Sequence, residues 1–272
     1  MKKIFFIILV LVFSLLCNAQ MPGVYPMLSN QSQVSKSDSI DEAKLHVQYH
    51  VTYRETMEDG QMREDLHVLD VGSKVVKYNG EGKYKSTICT ILRHYPNTNG
   101  QSCYKKLEID GMTAHVQGTR FVYEEEIPQL EWQLTDGDTV ICDYSCQRAT
   151  TTLRGRKWEV WYTTDIPIAE GPWKLTGLPG LILKAKDADG HFCFSAVEIL
   201  QPKEKVVSKP EKENLYLKVS PKRLEEMTVS YYKNPEGYVR MAYGEKMMKT
   251  MEMIGMKAPS TSRTPCLIER YE

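Results

Sequence analysis

The sequence predicts a mainly β fold of the α+β kind: a large curved antiparallel sheet with C-terminal helices packed on it. Three observations carry that expectation. Period-two alternation of apolar and polar residues recurs along most of the chain, Asx-Gly pairs separate the alternating runs, and helical signals gather only after residue 219.

In chain order, the first segment is 1-MKKIFFIILVLVFSLLCNAQ-20. Lys2 and Lys3 precede an apolar run from Ile4 to Leu16, the pattern of a secretory signal peptide. The run is short for a mature span, which needs about 20 residues. Cleavage after Ala19 is expected, so residues 1–19 read as signal peptide; the alternative, lipidation of Cys17, is disfavoured by the bulky Leu16 before it. Residues 20–41, rich in Ser, Asn, Gln and Pro, read as a flexible leader. No later stretch is apolar enough to span a membrane, so the processed chain is expected to be exported and to lack a transmembrane segment.

Next comes one β-rich domain over 42–257, followed by a tail over 258–272. In 45-LHVQYHVTYR-54, Leu45, Val47, Tyr49, Val51 and Tyr53 alternate with polar residues. Further strands are expected at 65–72, 74–79, 119–126, 138–146, 157–163, 180–187 and 191–200, with turns at Asn79-Gly80, Asn99-Gly100, Asp136-Gly137 and Asp189-Gly190. Ser220-Pro221 reads as an N-cap followed by proline at the first helical position, and 244-GEKMMKTMEMIGM-256 as a helix stopping at Gly255.

Lys and Arg number 35 and Asp and Glu 35, a net charge of +0 with no basic stripe, which argues against a nucleic-acid partner. Beyond Cys17 there are six cysteines, enough for up to three disulfides in an exported chain. Cys142 and Cys146 on one strand would lie about 13 Å apart, too far to pair unless a turn at 143–145 folds them together.

The densest cluster of glycine and proline is 177-GLPGLI-182. Neither phosphate-binding glycine pattern is present, and a strand rather than a helix follows. Gly177, Pro179 and Gly180 therefore read as a structural turn, with Leu178–Leu181 as type II: proline sets φ at the second position and glycine supplies positive φ at the third.

The run from Cys146 to Gly190 carries several specific elements in order. Cys146-Gln147-x-Ala149 is followed by Trp161-Tyr162-Thr163, Asp165-Ile166-Pro167-Ile168, Gly171-Pro172 and the GLPGLI hexapeptide itself. In these it resembles the GLPGLI family, also called Porph_ging, a bacterial envelope family with no established activity. The resemblance implies an address, the periplasm or an outer-membrane-associated or secreted location in a Gram-negative bacterium, and no mechanism.

Ligand contacts are expected from Trp161, Asp165, Pro167, Trp173, Lys174 and Leu178, with the GLPGLI segment as the rim of whatever cavity the sheet makes and the loop from Asp165 to Lys174 making the contact. The Asp165 carboxylate is expected to accept backbone amides in an Asx-type turn rather than act as a catalytic acid. His46 and His50, about 13 Å apart on one strand face, cannot chelate a metal as a local pair. Asp187 and Asp189 read as an Asp-Gly hairpin rather than a calcium loop. The Met247, Met248, Met251, Met253 and Met256 cluster reads as an amphipathic helix packed on the sheet, with soft-metal binding as the rival. No catalytic residue, metal site or cofactor motif is expected.

The function expected is a non-enzymatic binding or scaffold protein for a hydrophobic or peptide ligand or an outer-membrane partner. Its architecture is compared, by analogy of fold alone, with periplasmic lipoprotein carriers. The alternative is a metal-handling or metal-dependent protein using His, Cys and Met ligands.

Overall fold

The structure, a computed structural model, describes residues 39–80, 88–94, 100–107, 119–210, 215–253, 255 and 261–271. The expected signal peptide, most of the leader, His115 and Met256 lie outside the described residues.

The chain runs through β1 (Ser39–Glu42), β2 (Leu45–Arg54), β3 (Met62–Val71), β4 (Val75–Gly80), β5 (Thr90–His94), β6 (Gly100–Leu107) and β7 (Thr119–Glu126). It continues through β8 (Gln133–Ile141), β9 (Tyr144–Leu153), β10 (Arg156–Thr163), β11 (Leu181–Asp187) and β12 (Phe192–Leu200). The short strands β13 (Val206–Ser208) and β14 (Leu217–Lys218) precede α1 (Pro221–Lys233) and α2 (Pro235–Met253). Twelve strands form one sheet in the order β14-β7-β6-β5-β4-β3-β2-β12-β11-β10-β9-β8. Two meanders are thus joined in the middle by β2 and β12, and every pairing is antiparallel except β14 with β7. The fold is mainly β, a mostly antiparallel open sheet followed by helices, as the alternation predicted.

Alternation decides which face is buried. Val47, Tyr49, Val51 and Tyr53 on β2 share a face with Leu69, Tyr78, Ile91 and Cys103 on one side, and with Phe194, Ala185 and Val160 on the other. Segment 164–180, α1 and the C-terminal segment 261–271 cover this face, contributing Trp173, Leu175, Leu178, Leu224, Cys266 and Ile268 to the core. Each fully buried large apolar side chain is worth about 1.5–3 kcal/mol, so Trp158 and Trp173, in contact at 5.7 Å between rings, anchor the cover. On the opposite face, the β1–β13 ribbon covers the β4–β6 side with Ala43 and Val207 over Val75, Leu92 and Tyr104.

Three local expectations are corrected. Residues 138–146 are not one strand: Cys142 and Asp143, at φ 50° and 65°, form the two-residue turn between β8 and β9. Left-handed backbone at both positions matches strand twist in such hairpins. Asp136-Gly137 is no turn but lies within β8 at a register shift, with Gly137 at φ 126°. The expected disulfides are not formed: Cys89, Cys103, Cys142, Cys146, Cys193 and Cys266 are free thiols. The Cys142 thiol donates to the Ala196 carbonyl and Cys146 to that of Tyr144, while burial first of all raises each thiol's pKa, that of Cys146 to about 11. Reductant is therefore expected to leave the thermal midpoint unchanged, whereas breaking a native disulfide costs about 2–5 kcal/mol; a clear drop in a reducing scan would show that a bridge exists.

Helix α1 starts as predicted. Ser220 Oγ accepts from the Arg223 amide at 3.2 Å, and Pro221 occupies the first turn. Ser220→Ala should cost about 1 kcal/mol, readable as a shift of the urea midpoint at constant slope. Asn234 ends α1 and its side chain accepts from the Gly237 amide at 2.9 Å, so α2 begins well upstream of the expected 244. Gly244, at φ 78° and ψ 168°, breaks α2 into two pieces, giving three helical pieces in all. Met251 and Met248 pack helix on helix rather than on the sheet. Met251 is buried with Tyr231, Tyr232, Tyr238 and Val239, Met248 borders them, and Met253 is exposed.

Candidate functional site

Segment 164–180 leaves β10, crosses the covered face and returns as β11. Its path is pinned by backbone bonds: Gly177 N donates to Ala169 O at 3.1 Å, Leu181 N to Ile166 O at 3.0 Å and Ile182 N to Glu170 O at 3.0 Å. The type II turn at 178–181 is not made, because the Leu181 amide is spent on Ile166 and the left-handed glycine is Gly177, at φ 94°. Gly180 is needed for a different reason. A Cβ there would fall on the Thr163 carbonyl, 2.7 Å from its carbon. Trp173 sits at φ 55°, a strained region for a bulky residue, and is held there by its neighbours.

Those neighbours form a buried polar chain. Arg93 donates to Glu170 at 2.8 Å, to Gln101 at 3.0 Å and to the Trp173 carbonyl at 2.5 Å. Gln101 passes an amide bond on to Glu125 at 2.9 Å. Lys174, with its side chain 0% exposed, reaches Glu125 and Glu269 at 2.5 Å each and donates to the Tyr123 hydroxyl at 2.9 Å. Arg154 adds a second cation against Glu125 at 3.2 Å, so two carboxylates face two cations. Burial alone would lower the Lys174 pKa, but the surrounding Cys103, Glu269, Glu125 and Tyr271 hold it well above the ordinary value. Burial would likewise raise Glu125, yet Lys174, Gln101 and Arg154 bring it below the carboxylate norm. Lys174 and Glu125 are thereby held in their charged forms, and the chain of bonds ties the cover to the sheet.

A second cluster lies at the β11–β12 hairpin. Asp187 Oδ1 accepts from the amides of His191 and Phe192 at 2.7 Å, the Asp-Gly hairpin expected, with Gly190 at φ 70°. Asp187, Asp189 and His191 offer ligand atoms within 4.8 Å of one another, the spacing of a metal site. The cation among them is Arg156, whose Nη1 is 2.5 Å from Asp187, 3.4 Å from Asp189 and 3.4 Å from His191. Burial, then the Arg156 charge, lowers the His191 pKa. Three further histidines are dispersed: His46 bonds Asp70 at 2.6 Å, His50 faces Glu64 at 3.5 Å, and His67 meets Asp65 at 3.2 Å. Protein purified without tags or chelators should carry no stoichiometric copper, zinc or iron by elemental analysis; a stoichiometric metal would revive the metal-handling alternative.

The expected contact residues divide in two. Trp173, Lys174 and Leu178 are buried in the cover, whereas Trp161 is half-buried and Asp165 and Pro167 are exposed. Asp165 makes its turn differently from the expectation: its amide donates to Thr163 Oγ1 at 3.3 Å, and no backbone amide among the described residues donates to its carboxylate.

Trp161 points to the opposite face, where β9–β12 and β2 carry no cover among the described residues. Register places Arg148, Trp161, Lys184, Ser195 and His50 in one row across five strands, with Thr150, Glu159, Lys186, Cys193 and Thr52 in the next. Lys184 and Lys186 Nζ each lie 5.3 Å from the Trp161 ring centre, and the Arg148 guanidinium lies at 6.0 Å. Glu159 pairs with Lys186 at 2.9 Å and with Arg148. Sequence reasoning named Trp161 but missed its cations, although alternation in 181-LILKAKD-187 already puts Lys184 and Lys186 on the side opposite Leu183 and Ala185.

Compared with known proteins, residues 154–184 match the sequence model of the family described as "Protein of unknown function (Porph_ging)". No curated protein matches. Two solved structures, of PNGF-II in the P21 and C2 space groups, share 16% identity with this chain at a TM-score of 0.46. The matches cover 68% and 67% of this chain, which spans only 32% of the matched chain in each case.

Proposed function

We propose that this is a non-enzymatic binding or scaffold protein of the bacterial envelope, which engages a peptide or an outer-membrane partner on its open sheet face. The observation that carries this reading is the contrast between the two faces. On the covered face the ionisable side chains near the cover are bound to one another, and the cavity there, lined in part by Cys89, Tyr123, Cys266 and Glu269, is about 40 Å³. That volume holds about one water and no lipid chain, which counts against the carrier analogy. A polar depression of about 470 Å³ beside β1, bordered by Asp41, Lys74 and Glu204, is not an apolar pocket either. On the other face a half-buried tryptophan stands beside Arg148, two residue types that interfaces favour, with Lys184 and Lys186 around them.

The test is photo-cross-linking in the intact envelope. A photoreactive residue replacing Thr152, exposed on the open face, should trap a discrete partner, while one replacing Arg223 on α1 should not. Equal labelling from both positions, or none from Thr152, would overturn the reading.

A further inference from the structure

We infer that the surface around Trp161 is a docking site for an acidic peptide segment of a partner protein; the inference rests on the binding reading above and names the partner's chemistry. Charge decides the class. Arg148, Lys184 and Lys186 converge on one ring, Lys157 lies exposed on the same face of β10, and Glu159 is the carboxylate among them. Glu159 is already shared between Arg148 and Lys186. Among the described residues Lys184 makes no ion pair; its ammonium lies over the Trp161 ring and near Cys193, available to an incoming carboxylate. Cys193 senses the same surplus: burial raises its pKa while Lys184 and Lys186 pull it down.

Geometry then separates a peptide from other anions. The cations lie on three adjacent strands, β9, β10 and β11, whose spacing is about 4.8 Å, so carboxylates along an extended segment crossing the strands meet successive cations. The Trp161 ring is attended by three cations and packs partly against the core, which leaves little open ring face for a sugar to stack on. It offers instead an apolar centre for the side chain at i+2 of an extended segment whose acidic residues stand at i and i+4, all three on one face.

The probe is a fluorescein-labelled peptide of Glu-Ser-Leu-Ser repeats, which puts Glu and Leu on one face of an extended chain, followed by anisotropy at low and at physiological salt, with a Lys-Ser-Leu-Ser peptide as control. The acidic peptide should bind, weaken as salt rises, and lose about tenfold in affinity or more, that is about 1.4 kcal/mol, in the K184E/K186E variant. Lys184 is half-buried and Lys186 gives up its pair with Glu159, so the thermal midpoint is read beside the affinity, and K184Q/K186Q, which sets no new carboxylate beside Glu159, should lose affinity as well. Equal binding of both peptides, or acidic-peptide binding unchanged by K184E/K186E, would overturn the assignment. Binding of anionic-lipid vesicles in place of the peptide would overturn it in favour of a membrane, and a dimer abolished by K184E/K186E in favour of a second copy. If the cross-link from Thr152 forms but the acidic peptide does not bind, the acidic chemistry fails while the binding reading stands; if neither occurs, both fail.

Discussion

Lys174→Met is expected to lower stability by about 3–5 kcal/mol, the cost of leaving buried charge without its partner. The variant keeps most of the side-chain length but strands Glu125 and Glu269, each within 2.5 Å of the ammonium in the native protein. Chemical denaturation should show the midpoint falling at unchanged slope, and replacing both carboxylates as well, in K174M/E125Q/E269Q, should restore much of the loss. The pH dependence fixes the cause. Because the Glu125 pKa lies below its reference of 4.5, the stabilisation it brings is present above that value and lost as pH falls through its lower folded value. The Lys174 pKa is raised above 10.5, so its stabilisation is present below 10.5 and lost as pH rises through the folded value. In the variant, Glu125 is a buried carboxylate without its main cation, and protonation relieves it. The gap between wild type and variant should therefore narrow in acid and in strong alkali. A gap that stays constant from pH 3 to pH 11 would show that lost packing, not charge, is responsible.

How this cluster escaped the sequence is instructive. Alternation identifies the face on which a side chain lies, and it placed β2, β7, β10, β11 and β12 within a residue or two. It says nothing about which distant segment covers that face. Glu125 sits in 119-TRFVYEEE-126 between two other glutamates, and nothing local marks it as the one that turns inward to Lys174. Glu269 lies in a stretch read as a tail beyond the domain, although it is 7% exposed and completes the same cluster. The links that matter join residues 49 and 95 positions apart and belong to the cover rather than to any repeat or motif. Arg156 is similar: it is the first residue of β10, and only its bonds to Asp187 and to the Leu267 carbonyl, at 2.6 Å, reveal that it stitches hairpin to C-terminal segment. Missing strands have a simpler cause. β5 and β9 are rich in Thr, Arg and polar residues, so their pairing is set by neighbours in the sheet, not by a strong local pattern.

Gly180→Ala should be among the most damaging single methyl additions in the chain, and it separates two accounts of the GLPGLI hexapeptide. If Gly180 supplied positive φ in a type II turn, asparagine would be tolerated and alanine would cost about 1 kcal/mol, the usual price of a strained backbone angle. The structure puts the left-handed angle at Gly177 and gives Gly180 a backbone that passes flush against Thr163, with a Cβ 2.7 Å from that carbonyl carbon and 3.0 Å from the Thr164 Cα. Backbone on both sides cannot rotate away as a side chain would, so the end of β10 and the start of β11 must part. Overpacking costs about 1–3 kcal/mol where side chains can adjust, and here the loss should reach about 3 kcal/mol or more. Gly180→Asn should be at least as harmful as Gly180→Ala, while at Gly177 asparagine should be the milder of the two, because that position asks for left-handed backbone and has only the Trp132 indole nitrogen within reach, at 3.7 Å. Urea denaturation of the four variants reads the pattern directly. Tolerance of asparagine at Gly180 would return the hexapeptide to a turn; its rejection there together with acceptance at Gly177 makes Gly180 the point where the cover is clamped to the sheet.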